Sequence, residues 1–266
     1  MKIRDILFEF EDLPWFPGMV RESMTDYLRY FLTATNFYKP ITAILGEGLR
    51  HARAKQVIDV CSGGGGAIEQ IRDNYRYLWQ EDLPVVLTDK FPNIQAFKLL
   101  EARSGGMVRS IKTPVDAMDV PTSLRGLRTI FSGIHHFDEE QVRGVLRSAV
   151  AAHDSIAIFD GGDKKFLTIL GIIFFHPLAI LLMTPFFRPL RLSRFIFTYL
   201  IPLIPFCTVW DGVVSILRLY KPETLLKLAR EVDNTRYYWR SAKVKNELGM
   251  HVTYLIGYPK ITAEEV

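Results

Sequence analysis

The chain has 266 residues, of which 48% are apolar and 23% charged, and its formal net charge at pH 7 is +4. These values are typical of one globular domain, and so small a charge without a Lys/Arg-rich helix argues against nucleic-acid binding. Cys61 and Cys207 lie far apart in the sequence and lack zinc-site spacing, so we expect neither a disulfide framework nor a metal site.

The N-terminal region, residues 1–54, combines acidic and aromatic residues with two amphipathic stretches. It lacks the continuous apolar core of a secretion signal, so we expect a cytoplasmic protein. The amphipathic spacing predicts helices that lie over the rest of the chain as a cap. Tyr38 is a candidate for substrate contact within this cap, although a buried tyrosine of the core would fit the same pattern.

From residue 56 onward, short β-rich runs alternate with helical stretches, which is the pattern of a parallel α/β sheet. Asp138 and Gln141 have the spacing of a capping box and predict a helix between the fourth and fifth strands. A helix after Pro222 precedes two β-rich runs that predict a terminal hairpin. The predicted strands cover residues 57–60, 85–88, 107–115, 128–133, 155–161, 237–246 and 250–259. We assign residues 55–163 and 219–266 to the α/β core and residues 164–218 to an insertion.

The insertion contains two strongly apolar runs, residues 166–187 and 195–210, separated by a short segment with three arginines. The first run has transmembrane length, but a single crossing would separate the terminal hairpin from its sheet, and a double crossing would place the arginines against the positive-inside tendency. We therefore expect a shallow hairpin at the inner face of a membrane, with anionic lipid bound by Arg188, Arg191 and Arg194. The alternative is an apolar subdomain that encloses a substrate tunnel.

Four glycines at residues 63–66 lie between the first predicted strand and the following helix. Such a loop lets the backbone approach a ligand closely, and by itself it would suit a dinucleotide or a methyl donor equally well. With Asp59 before it, the spacing of Gly63 and Gly65 resembles the first motif of the class I S-adenosylmethionine-dependent methyltransferases. Three later segments resemble the family's next motifs in order: Asp89 with its neighbours, Asp116-Ala117, and residues 132–137.

This resemblance implies a fold and a cofactor. The fold is a Rossmann-like seven-stranded sheet, mostly parallel, with a C-terminal antiparallel hairpin and helices on both faces. In the family, the acid matched by Asp59 contacts the methionine end of S-adenosylmethionine, the one matched by Asp89 both ribose hydroxyls, and the one matched by Asp116 the adenine amino group. The full set of predicted cofactor-binding residues is Asp59, Cys61, Ser62, Gly63, Gly65, Asp89, Lys90, Asp116, Ala117 and Ser132.

The function implied is methyl transfer to a small hydrophobic or lipid-like acceptor at O, N or C. In-line displacement requires alignment of the acceptor with the methyl group and, for some acceptors, removal of a proton. His135 and His136 follow the fourth strand, where the family places acceptor-lining residues, so either is a candidate general base. The alternative is that they pack or hydrogen-bond the backbone at the end of the strand. Asp160, at the end of the fifth strand, either positions the acceptor or caps a turn.

Other functions fit parts of the same pattern. A nicotinamide or flavin oxidoreductase uses a related sheet, but the spacing after Asp59 fits the methyl-donor motif better than the dinucleotide motif. A non-catalytic lipid-binding protein would keep the fold and the apolar insertion without the chemistry. A different S-adenosylmethionine reaction, such as cyclisation of a substrate, would use the same motifs.

Overall fold

The computed structural model describes residues 7–260. Residues 1–6 lie outside this range, and the expectation of no secretion signal rests partly on them. A single seven-stranded sheet runs through the molecule, with β7 antiparallel to both of its neighbours and the other pairs parallel. In spatial order its strands are β3 (Val108–Ser110), β2 (Val85–Leu87), β1 (Val57–Asp59), β4 (Leu127–Phe131), β5 (Ile156–Gly161), β7 (His251–Pro259) and β6 (Tyr237–Lys245). The predicted fold class is confirmed.

Helices connect these strands and cover the sheet. The α-helices of the described chain are α1 (Gly18–Ala34), α2 (Thr42–His51), α3 (Ile68–Trp79), α4 (Ile94–Arg103), α5 (Glu139–Ala151), α6 (Phe166–Met183), α7 (Leu192–Phe195), α8 (Leu203–Arg218) and α9 (Pro222–Val232). The capping box predicted at Asp138 and Gln141 is present at the start of α5. The third strand is shorter than expected and ends at Ser110.

The two faces of the sheet bury separate apolar cores because successive strand residues point to opposite sides. Val57 belongs to the core beneath α1 to α4, whereas its neighbour Ile58 belongs to the core beneath α5 and α9. Both side chains are almost fully buried. Helices on both faces therefore explain why consecutive residues of β1, β2, β4 and β5 are buried rather than alternately exposed.

The insertion consists of α6, α7 and α8, and α6 packs against α8. Within residues 7–260, Phe166–Phe186 is the only single helix that is long and apolar enough to cross a membrane, and 17% of its most apolar window is buried. A second candidate, Leu192–Leu200 with Leu203–Arg218, is bent by 80°. The insertion therefore carries a large exposed apolar surface, which soluble monomers rarely show.

A buried carboxylate attaches the inner side of the insertion to α1. Asp26 on α1 is fully buried and forms ion pairs with Arg194, Arg191 and Arg29. Burial raises the pKa of Asp26 to about 6, although the three guanidinium groups act to lower it. A buried charge needs partners of opposite charge, because burial of an unpaired charge is unfavourable in free energy.

This cluster corrects the prediction that three arginines of the insertion contact lipid. Arg194 is buried, and Arg191 pairs with Glu22 and hydrogen-bonds Asn93. Both side chains point into the protein because Asp26 and Glu22 neutralise them there. Among the three, only Arg188 is exposed.

Replacement of Asp26 by Ala is expected to lower the free energy of unfolding by about 3 to 5 kcal/mol, because buried Arg194 loses its countercharge. Urea unfolding followed by circular dichroism measures the change. The matched control is Asp73→Ala at an exposed position of α3, which should change stability by less than about 0.5 kcal/mol. Equal stability of the two variants would contradict the role of Asp26.

Candidate functional site

The glycine loop between β1 and α3 has a backbone that favours glycine. Gly63, Gly65 and Gly66 have φ values of +54°, +93° and +48°, which other residues adopt only with strain. Gly64 lies directly against the backbone of α1, so that a Cβ there would be 2.8 Å from the carbonyl oxygen of Thr25. The loop is therefore held between the sheet and the cap.

Asp59, at the end of β1, is buried behind this loop. Its Oδ1 accepts a hydrogen bond from the hydroxyl of Thr129 (2.9 Å), and its Oδ2 accepts one from the hydroxyl of Ser62 (2.7 Å). Burial raises the pKa of Asp59 to about 7, against the lowering effect of the two hydroxyl groups. The carboxylate holds the start of the loop against β4 and does not line the cavity described below.

Asp89 follows β2 and meets the loop from the other side. Its Oδ2 accepts a hydrogen bond from the backbone N–H of Gly63 (2.7 Å), and its Oδ1 accepts one from Phe91 N–H (2.7 Å). Each oxygen keeps a further lone pair, and a carboxylate so oriented can accept from two vicinal hydroxyl groups. Burial is the main cause of the raised pKa of Asp89, and the N–H donors oppose it.

A cavity of about 350 Å³ opens at the carboxyl ends of β1, β2 and β4, where ligands bind in open α/β sheets. It brings together seven of the predicted site residues: Cys61, Ser62, Gly63, Asp89, Lys90, Ser132 and His136. The remaining ones lie outside its wall: Tyr38, Asp59, Gly65, Asp116, Ala117, His135 and Asp160. Their roles in binding stay predictions.

Several of the residues outside the wall contact residues within it. Asp116 pairs with Lys90 at 3.3 Å, and the fully buried Tyr38 places its hydroxyl 2.5 Å from Oγ of Ser132. Tyr38 therefore supports the wall from behind, beneath the position predicted for the acceptor. Its hydroxyl also lies 3.4 Å from the carbonyl oxygen of Phe159, to which it donates.

The two adjacent histidines have different surroundings. His135 is buried, and its Nδ1 lies 2.8 Å from Oδ1 of Asp160. His136 faces the cavity, with its Nδ1 2.9 Å from Oδ1 of Asp12 and 3.6 Å from Oε2 of Glu9. Burial acts to lower the pKa of His136, but these carboxylates raise it well above the usual value. The candidate roles of His135 and His136 as a general base stay predictions.

An acidic segment, residues 9–12, forms part of the site and was not predicted from the sequence. The N–H groups of Phe10 and Glu11 donate to the carboxylate of Asp211 on α8, at 2.7 and 3.1 Å. Glu11 and Asp12 line the cavity. The acids are visible in the sequence, but about 200 residues separate them from α8 and no local pattern indicates that contact.

Comparisons with known proteins bear on the fold. No family model and no curated protein matches the sequence. The solved structure of SibL, an S-adenosylmethionine-dependent methyltransferase in its apo form, is 12% identical with a TM-score of 0.50, and the match covers 94% of this chain and 60% of SibL. An O-methyltransferase family protein from Burkholderia thailandensis is 14% identical with a TM-score of 0.45, over 84% of this chain and 56% of that one.

A third similar structure is NcsB1, an O-methyltransferase from neocarzinostatin biosynthesis in complex with S-adenosylmethionine and 2-hydroxy-5-methyl naphthoic acid. It is 13% identical with a TM-score of 0.45, and the match covers 83% of this chain and 57% of NcsB1. The chain thus spans little more than half the length of these proteins. At such identities the likeness concerns the fold, and this chain has the fold of the S-adenosylmethionine-dependent methyltransferases.

Replacement of Gly64 by Ala is expected to lower the free energy of unfolding by about 1 to 3 kcal/mol, because the new methyl group overlaps the backbone of α1. Thermal unfolding and a urea titration measure the effect. Gly18→Ala is the matched control, since no atom lies within 4 Å of a Cβ at that position. Unchanged stability of the Gly64 variant would mean that α1 does not press on the loop.

Proposed function

We propose that this chain binds S-adenosylmethionine in the cavity at the glycine loop and transfers its methyl group to a small hydrophobic acceptor. The observation that carries the proposal is the hydrogen bond between Gly63 and Asp89. It fixes a carboxylate beside a glycine backbone that a ligand can approach closely. The carboxylate would accept from both ribose hydroxyls. A cavity of about 350 Å³ lies within the range of ligand sites, roughly 300 to 1,000 Å³.

The acceptor is proposed to be apolar because much of the remaining wall is apolar. Leu28 and Leu32 of α1 line the cavity together with Phe91, Phe131 and Phe137. A phenolic or other oxygen acceptor placed among them would be aligned by these side chains, and alignment is the main protein contribution to an in-line displacement. When bound, S-adenosylmethionine supplies an electrophilic methyl group.

Removal of the Asp89 carboxylate tests whether the cavity binds S-adenosylmethionine. Asp89→Asn is expected to weaken S-adenosylmethionine binding about tenfold or more, since a hydrogen bond to a charged group contributes about 1.5 to 3 kcal/mol. Calorimetry measures the affinity, with Asp73→Asn on the exposed surface as the control. Equal affinity of both variants and the parent chain would contradict the assigned role of Asp89.

The same calorimetry, with three ligands, tests the function itself. Binding of S-adenosylmethionine and S-adenosylhomocysteine without NAD is the expected result. Binding of NAD alone would favour an oxidoreductase, and no binding of any of the three would favour a non-catalytic lipid-binding protein.

We further propose that the insertion attaches the protein to the inner face of a membrane as a shallow hairpin and draws a lipid-like acceptor from it. Large apolar side chains of α6 are exposed, with Phe174 at 73% and Leu182 at 63%. Burial of each in lipid would contribute about 1.5 to 3 kcal/mol. Arg188 is the exposed arginine left to contact an anionic headgroup.

Vesicle sedimentation of the full chain tests this attachment. The double variant Phe174→Asp with Leu182→Asp is expected to lower the partition coefficient onto phosphatidylcholine/phosphatidylglycerol vesicles at least about tenfold, because it removes two exposed apolar side chains that would be buried in lipid. Tyr77→Asp, at a residue of α3 that is 84% exposed, is the control and should bind like the parent. Failure of the parent chain to sediment with vesicles would contradict the proposal.

A further inference from the structure

Three potential metal ligands from two distant parts of the chain converge beside the cavity. A carboxylate oxygen of Glu9 and one ring nitrogen each of His135 and His136 all lie within 4.8 Å of one another. Glu9 precedes α1, whereas the two histidines follow β4 in the short helix Ile134–His136. His136 is part of the cavity wall, so the group lies at the edge of the proposed acceptor position.

The separations suit a bound cation better than direct hydrogen bonds. Oε2 of Glu9 is 3.8 Å from Nε2 of His135 and 3.6 Å from Nδ1 of His136, beyond the usual limit of about 3.2 Å for a hydrogen bond. Ligand atoms about 2.0 to 2.1 Å from a tetrahedral ion are about 3.3 to 3.4 Å apart. Small side-chain shifts would therefore complete the coordination.

Each histidine is oriented in a way that leaves a nitrogen for a ligand role. Nδ1 of His135 is held by Asp160 at 2.8 Å, which fixes the tautomer and directs the Nε2 lone pair toward Glu9. A carboxylate behind a histidine is the usual support of a metal ligand. Nδ1 of His136 is buried without an aligned hydrogen-bond partner, although Asp12 lies 2.9 Å away.

The negative charge around Glu9, His135 and His136 favours the binding of a cation. Four carboxylates lie within 4 Å of an imidazole nitrogen of the histidine pair, namely those of Glu9, Glu11, Asp12 and Asp160. Among the residues the structure describes, Arg218 is the guanidinium that contacts two of them, Glu9 at 3.0 Å and Asp12 at 3.4 Å. The contact to Glu9 uses Oε1, and Ser215 donates to Oε2 at 2.7 Å.

We propose that Glu9, His135 and His136 form a binding site for a divalent transition-metal cation of the zinc, manganese or iron type. Two imidazoles and one carboxylate are a ligand set that such ions accept, and they leave coordination positions open. The proposed function adds a consequence: an oxygen of the methyl acceptor would occupy an open position and lose its proton more readily there.

Calorimetry with Zn²⁺ on the chelator-treated full chain, free of any histidine tag, tests the site. The expected result is one equivalent of Zn²⁺ per chain, and Co²⁺ should give a visible absorption spectrum of a nitrogen- and oxygen-ligated ion. Glu9→Gln and His136→Ala should each weaken binding more than Asp160→Asn, for which a loss of about 10- to 100-fold is expected. His51→Ala, a partly exposed histidine stacked on Tyr258, is the control and should bind like the parent.

Circular dichroism and S-adenosylmethionine affinity, measured on every variant, show whether it is folded. Glu9→Gln keeps the shape of the side chain, so it serves if His136→Ala does not fold. Absence of Zn²⁺ binding by the parent chain, or equal binding by Glu9→Gln, overturns the metal site and leaves the methyl-donor proposal intact. Zn²⁺ binding without S-adenosylmethionine binding would support the metal site and contradict the methyl-donor proposal.

Discussion

The guanidinium of Arg218 joins the three parts of the chain that meet at the cavity. Arg218 ends α8 of the insertion, donates to Glu9 and Asp12 of the N-terminal segment, and donates to the carbonyl oxygen of His136 after β4. The rigid fork of an arginine can hold three such acceptors at once, and a lysine would not replace it. The acidic segment therefore reaches the cavity because the insertion returns beside it.

The insertion has two surfaces with opposite properties. Its inner surface carries charges that are neutralised, chiefly by Asp26 of α1, and it packs apolar residues such as Ile180 and Ile204 against α1. Its outer surface exposes the phenylalanine and leucine side chains of α6. α6 contains no Asp, Glu, Lys or Arg, so no such charge on this helix would oppose the proposed contact with lipid.

The cavity likewise divides into two chemical environments. Backbone N–H groups and Asp89 surround the glycine loop, where a cofactor with hydroxyl groups would be held. His136, Glu11 and Asp12 form a charged part of the cavity wall, and aromatic side chains such as Phe131 also line the cavity.

The sequence alone was sufficient to predict the sheet and the glycine loop at the carboxyl ends of its strands. Alternation of apolar runs and helices, the glycines at residues 63–66, and the capping box at Asp138 are local patterns, and each can be recognised without knowing how distant segments pack. The position of Asp89 follows from the same reasoning, because parallel strands end at one edge of the sheet.

Only the tertiary structure decided which charged groups lie beside the cavity and which way the arginines of the insertion point. Glu9 and Arg218 are 209 residues apart, and Arg194 and Asp26 are 168 apart. Burial decides which partner a charge takes, and burial depends on how whole segments pack. The sequence therefore predicted a glycine loop and the acids beside it, while packing decided which charged groups surround the proposed acceptor position.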